Sequence, residues 1–157
     1  MRAVVVPPGE GRDIAVGSAG TGVTVKASAS ETGGLCTVWE GRVPPGAVGA
    51  GPHYHRERDE LFYVLDGELE LRLGDAERTV RRGTFAFVPR GIVHGFRNAS
   101  RADATMLVVH HPAGFDRFLE EMQQLMARRG THAERAELAD RFDMIPVRPV
   151  AEPGSSR

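Results

Sequence analysis

The sequence predicts an all-β fold, a barrel or sandwich of short strands, with a short helical extension toward its C-terminal end. Three observations predict it. Nineteen glycines and ten prolines among 157 residues supply turn signals at close spacing. Between Leu35 and Leu107 those turns separate short runs rich in β-branched and aromatic residues. After Pro112 the apolar period lengthens from two residues to three and four, the spacing of a helix.

Composition bounds the function. The length suits one domain with a sizeable core and not two. A formal net charge of -1 leaves no basic face for nucleic acid. The single cysteine, Cys36, cannot form an internal disulfide, and it reads as a small buried hydrophobe in a strand from Leu35 to Val38. No apolar run approaches about 18 residues, so no membrane span is expected. The apolar start, Met1 to Val6, is too short for a secretory core, so the expected address is the cytoplasm.

The elements follow in order. Residues 1–34 hold three extended runs, Ala3 to Val6, Ile14 to Val16 and Val23 to Lys26, then a loop of small and polar residues from Ala27. Residues 35–112 form the barrel core. Within it, Glu68 to Leu73 alternates polar and apolar strictly, as a half-buried strand must. Gly74-Asp75 turns it into Glu77 to Arg81, a hairpin, and Thr84 to Val88 and Thr105 to Val109 are further strands. Residues 113–145 are helical. Phe115, Phe118, Leu119, Met122, Leu125 and Met126 share one face that docks on the barrel, and Gly130 ends the helix. Thr131 with Glu134 forms a capping box for a second helix through about Phe142. Residues 146–157 read as a frayed tail.

Histidine placement carries the chemistry. His53 and His55 are two apart, so on a strand both face one way. Glu60 opens the next run, Leu61 to Leu65, and a hairpin would fold it back beside the pair. His94 follows the turn Pro89-Arg90-Gly91 and starts another strand. Three imidazoles and one carboxylate suit one divalent first-row metal per subunit: Fe, Mn, Co, Ni, Cu or Zn. Alternation places Phe62 and Val64 with Glu60, and Phe96 with His94, as apolar walls of a substrate pocket. His110-His111 ends a strand, so one of the two faces inward; His111 is the pocket candidate. Arg90 reads as an exposed loop residue.

This spacing resembles the cupin superfamily at both of its motifs. His53, His55, Glu60 and Gly67 match the first, whose opening glycine falls on Ala47 with Gly46 one place off. Gly83, Pro89, Gly91, His94 and Asn98 match the second throughout. The resemblance implies a double-sheet, jelly-roll-like barrel over about residues 35–110, with His53, His55, Glu60 and His94 as metal ligands and Asn98 in a turn. The helical extension is similar to that of small bacterial single-cupin proteins, including quercetin dioxygenase-like ones. The expected function is a metal-dependent dioxygenase of a small aromatic or enolisable, flavonol- or diketone-like compound, with Glu60 as ligand and proton acceptor. The alternatives are an isomerase, cyclase or dehydratase of a small carbonyl compound, or a barrel that holds a small ligand without turnover. No nucleic-acid partner is expected. A homodimer is, because small single cupins commonly pair and the N-terminal runs are apolar for a free arm.

Overall fold

Alternation along the strands sorts side chains into an inner and an outer layer. In the computed structural model, which describes residues 2–16 and 21–147, the strands are β1 (Arg12–Ala15), β2 (Gly22–Ala27), β3 (Thr37–Val43), β4 (Val48–Tyr54), β5 (Asp59–Asp66), β6 (Glu68–Leu73), β7 (Ala76–Arg81), β8 (Phe85–Val88), β9 (His94–Arg97) and β10 (Ala104–His111). Helices α1 (Phe115–Ala127) and α2 (His132–Arg141) follow, then a two-residue strand, β11 (Ile145–Pro146).

The strands pair antiparallel in two sheets. One runs β1-β2-β3-β10-β5-β8, the other β11-β4-β9-β6-β7. The two inner faces enclose one core, as a jelly roll does. From the large sheet come Trp39 and Val43, Phe62 and Val64, Met106 and Val108; from the small sheet come Leu69, Leu71, Val80 and Phe96. Leu69 and Met106 are almost wholly buried, and burial of each side chain is worth about 1.5–3 kcal/mol. Gly67 makes the tight passage from β5 to β6: its φ is +75°, and a Cβ there would stand 2.5 Å from the Asp103 carbonyl oxygen.

Several expectations are corrected. Ala3 to Val6 is not a strand, because two prolines follow it and no neighbouring strand pairs with it. Strand β3 begins at Thr37, leaving Leu35 exposed and Cys36 half-buried in the loop before it. The strands β4 and β5 do not form a hairpin; they lie in different sheets. The left-handed residue after α1 is Arg129, at φ 56°, instead of Gly130. Gly130 is needed for space, since a Cβ would fall 2.3 Å from Leu125 Cδ1. Ile145 and Pro146 pair with Tyr54 and His53, so the chain returns to the small sheet after α2. Of the expected tail, residues 148–157 lie outside the described residues.

The capping box of α2 is present in full: Thr131 Oγ1 accepts from the Glu134 N–H, and the Glu134 carboxylate accepts from the Thr131 N–H. Helix α1 is seated by Asp116, which is buried and accepts a hydrogen bond from Thr37 Oγ1 at 2.9 Å. Its apolar face then lies across the mouth of the barrel.

Candidate metal centre

His53 sits near the end of β4 and His55 just beyond it, with Tyr54 between them facing the other way. His94 opens β9 directly opposite His53 in register, and the two rings are 4.3 Å apart. Glu60 reaches in from β5 on the facing sheet. All four side chains are buried, and one donor atom from each lies within 4.8 Å of the others. Glu60 Oε2 is 3.1 Å from His55 Nε2 and 2.7 Å from His94 Nε2. The carboxylate therefore completes the cluster across the barrel, between sheets, where the sequence suggested a hairpin.

Backbone carbonyls select the histidine tautomers. Nδ1 of His53 lies 2.8 Å from the Gly51 oxygen, Nδ1 of His94 lies 2.9 Å from the Ile92 oxygen, and Nδ1 of His55 lies 2.6 Å from the Asp143 oxygen. A carbonyl only accepts, so each Nδ1 carries a proton, and in the neutral rings each Nε2 keeps its lone pair. Two of those lone pairs face an anionic oxygen. Such an arrangement holds only with a positive species between them, a proton or a metal ion. Three Nε2 atoms and a carboxylate oxygen, with every Nδ1 engaged, form the donor set a divalent transition metal takes.

The electrostatics agree. Burial pushes His53 down to about 4, with Glu60 opposing. Burial also works against protonation of His94, but the hydrogen bond and charge of Glu60 prevail and hold it above 6.5. Burial would raise Glu60, yet His110, His55 and His94 together hold it well below the usual carboxylate range. Glu60 is thus an anion, ready as a ligand.

The second motif is built for this placement. Gly91, at φ +83°, donates its N–H to the His55 carbonyl at 2.7 Å, tying the turn before His94 to the end of β4. Asn98 donates to the carbonyls of Val43 and Ala102, at 2.8 and 2.7 Å, and accepts from Ser100, so it shapes a turn as expected. Arg90 pairs with Asp59 on the surface, away from the cluster, and the pair pulls Asp59 down to about 2.

A cavity of about 260 Å³ opens onto the cluster, with His53 and Glu60 in its wall. Phe96 lines it. Phe62 and Val64 do not: with Leu69 and Leu71 they pack around a void of about 10 Å³ deeper in the barrel, and Phe62 stands edge-on behind the His94 ring, 6.1 Å between centroids. Each two-residue step along β5 carries the side chain about 6.5–7 Å farther from Glu60, so Phe62 backs the His94 ring and Val64 lies deeper still. His111 is also corrected. It is exposed, with Nδ1 bonded to the Leu35 carbonyl, while His110 is the inward residue. Register explains this, because His110 pairs with Glu60 and shares its face.

Three features have little or no local signal in the sequence. His110 follows Leu107, Val108 and Val109, all apolar, so alternation could not separate inner from outer. The wall formed by Phe115, Phe118, Leu119, Met122 and Met126 reads as a plain docking face, but it also closes the cavity. Asp143 is the third. Held at φ 63°, it accepts N–H groups of Arg56 and Glu57 on its carboxylate, at 2.8 and 2.9 Å, while its carbonyl fixes His55.

A double-sheet barrel with a His-His-Glu-His cluster at its mouth is the architecture of the cupin class. Residues 39–110 match the Cupin domain family, and this region is a cupin domain. Over 62 residues the chain is 40% identical to an uncharacterized protein of Aquifex aeolicus (strain VF5), covering 40% of this chain and 50% of that protein. The chain spans about half the length of the curated relatives it matches. Among solved structures, a predicted oxalate decarboxylase from Thermotoga maritima superposes with TM-score 0.63 at 21% identity, covering 69% of this chain and 98% of that one; at that identity it shows the fold alone. A sugar phosphate isomerase of the cupin superfamily from Silicibacter pomeroyi DSS-3 gives TM-score 0.50 at 33% identity, covering 57% of this chain and 59% of the other. No helix among the described residues is long and apolar enough to cross a membrane.

Proposed function

We propose that the chain is a metal-dependent cupin enzyme, and that it oxygenates a small apolar compound bearing an enolisable or phenolic oxygen. The observation that carries this reading is the cavity, apolar on nearly every side and polar where His53 and Glu60 face it. His53, His55, Glu60 and His94 would hold the ion. A divalent transition metal supplies Lewis acidity there and, when redox-active, an electron route to dioxygen. The chain does the rest. Phe96 and the Met122 region of α1 grip the apolar body, orient its one polar end toward the cluster, and exclude water. Glu60 is the carboxylate nearest that polar end and is the group to take a substrate proton.

A second reading keeps the metal and omits dioxygen: isomerisation, cyclisation or dehydration of a carbonyl compound. The likeness to an isomerase at 33% identity favours it. A phosphorylated sugar is a poor match here, because among the described residues no Lys or Arg lines the cavity. The test is elemental analysis of protein purified without chelator, then an oxygen electrode with a panel of flavonols and diketones. One metal per chain and oxygen uptake matched to substrate loss is the expected result. Conversion without oxygen favours the second reading. Tight binding without conversion of any compound would leave a ligand holder.

We also propose a homodimer, formed through the outer face of the large sheet. Edge strand β8 exposes Phe85 and Phe87, beside Tyr63 on β5, and an open apolar edge invites pairing with a second copy. A monomer mass by light scattering at micromolar concentration would refute this.

A further inference from the structure

Among the described residues, the buried side-chain nitrogens left without a hydrogen-bond partner are two on Arg58 and Nε2 of His110. His110 is fully buried, and its other nitrogen, Nδ1, lies 3.2 Å from Nε1 of Trp39. An indole N–H only donates, so Nδ1 must present its lone pair. The ring proton therefore stands on Nε2. That atom is 3.4 Å from Oε1 of Glu60. Phe115 stacks on the ring at 3.8 Å with planes 10° apart, which fixes its orientation and covers it with hydrocarbon. The other carboxylate oxygen, Oε2, is the one that meets His55 and His94.

We propose that His110 is a positioning residue for Glu60: its Nε2–H is reserved for Oε1, so that Oε2 alone is offered to the metal. This rests on the metal-centre reading above. Without that donor the carboxylate is free to turn, and Oε2 is no longer held toward His55 and His94 where an ion would meet it. Trp39 is part of the device, because its N–H is what places the His110 proton on the side of Glu60. With one nitrogen accepting from Trp39 and the other carrying hydrogen, His110 has no lone pair to spare and is not the proton acceptor of the reaction.

Two measurements test this on the full chain. Long-range proton–nitrogen correlation spectra of histidine-labelled protein, metal-free and zinc-loaded, report the tautomer directly. The expected result is Nε2–H for His110 in both, and a mixture of tautomers in Trp39→Phe. Zinc affinity, measured by competition with a chromophoric chelator, is expected to fall about 10–100-fold in His110→Phe. His110→Gln, whose amide can offer an N–H near the same place, is expected to recover most of it. A His110 proton on Nδ1, or wild-type zinc affinity in His110→Phe, overturns the proposal. The spectra need no variant, so a His110→Phe chain that does not fold leaves them decisive. Wild-type protein that binds no zinc overturns the metal reading and this role with it, whereas a wrong tautomer overturns this role alone.

Discussion

The two ends of the barrel interior obey the same alternation and reach opposite results. At the closed end Phe62, Val64, Leu69, Leu71 and Met106 meet until a void of only about 10 Å³ is left. At the mouth the inward positions hold Gly41, Gly49 and Ala50 beside Trp39 and Phe96, and about 260 Å³ stays open. Large residues on both sheets make a core; large residues facing small ones make a pocket. Polar residues follow the same division. His53, His55, Glu60, His94 and His110 all gather at the mouth, where each finds a partner or faces another member of the cluster. Toward the closed end the void is lined by apolar side chains and Thr84 alone among polar ones.

The comparison breaks most severely at the ligands. His94→Ala should lower metal affinity beyond the about 10–100-fold typical of losing a ligand's partner, and abolish turnover. Circular dichroism of the metal-free variant should remain native, since the closed end does not depend on the ion. Leu69→Ala attacks the other end. It should cost about 2–5 kcal/mol in chemical denaturation and leave the number of metal ions bound unchanged. An equal loss of metal in the two variants would show that the ends are not independent.

Gly49→Ala sharpens the contrast. A Cβ there would lie 1.8 Å from the Phe96 ring, which must swing into the cavity. The expected outcome is a raised KM with metal content intact. The pH dependence separates proton from metal at the mouth. The folded protein holds the His94 proton above its ordinary value, so that stabilisation is fully present below 6.5 and is lost as pH rises through the raised value. Metal needs the proton gone, so affinity should climb over the same interval. Metal-free and metal-loaded unfolding curves should therefore diverge with rising pH. The smallest effect lies far from both ends: Thr131→Ala should cost about 1 kcal/mol through the lost cap and leave zinc affinity unchanged.

The sequence made the four cluster residues legible because their spacing is local to two short segments, His53 to Glu60 and the Pro89-Arg90-Gly91 turn before His94. It made the strands legible wherever polar and apolar residues alternate, as from Glu68 to Leu73. It failed where both faces are apolar. Leu107 to Val109 offers no phase, so His111 stood in for His110 until strand pairing with Glu60 decided between them. It failed also for long-range partners. Nothing near His55 announces that Asp143 will hold its ring, because that contact exists only once α2 has packed and β11 has paired. Phe62 and Val64 share the face of Glu60, as alternation predicts, but neither lines the cavity, since alternation gives side and not distance from the mouth.

Synthesis delivers the four donors of the cluster well before it delivers their last restraint. His53 to His94 have left the ribosome while Asp143 is still untranslated, so a nascent barrel lacks the carbonyl that selects the His55 tautomer. The fully restrained set of four donors is then a late product, complete only once α2 and β11 have been made. A chain stopped at His111 would keep all four donors with one of them slack. The segment from α2 to β11 acts as a timing latch: the geometry of the four donors is not final until Asp143 is in place.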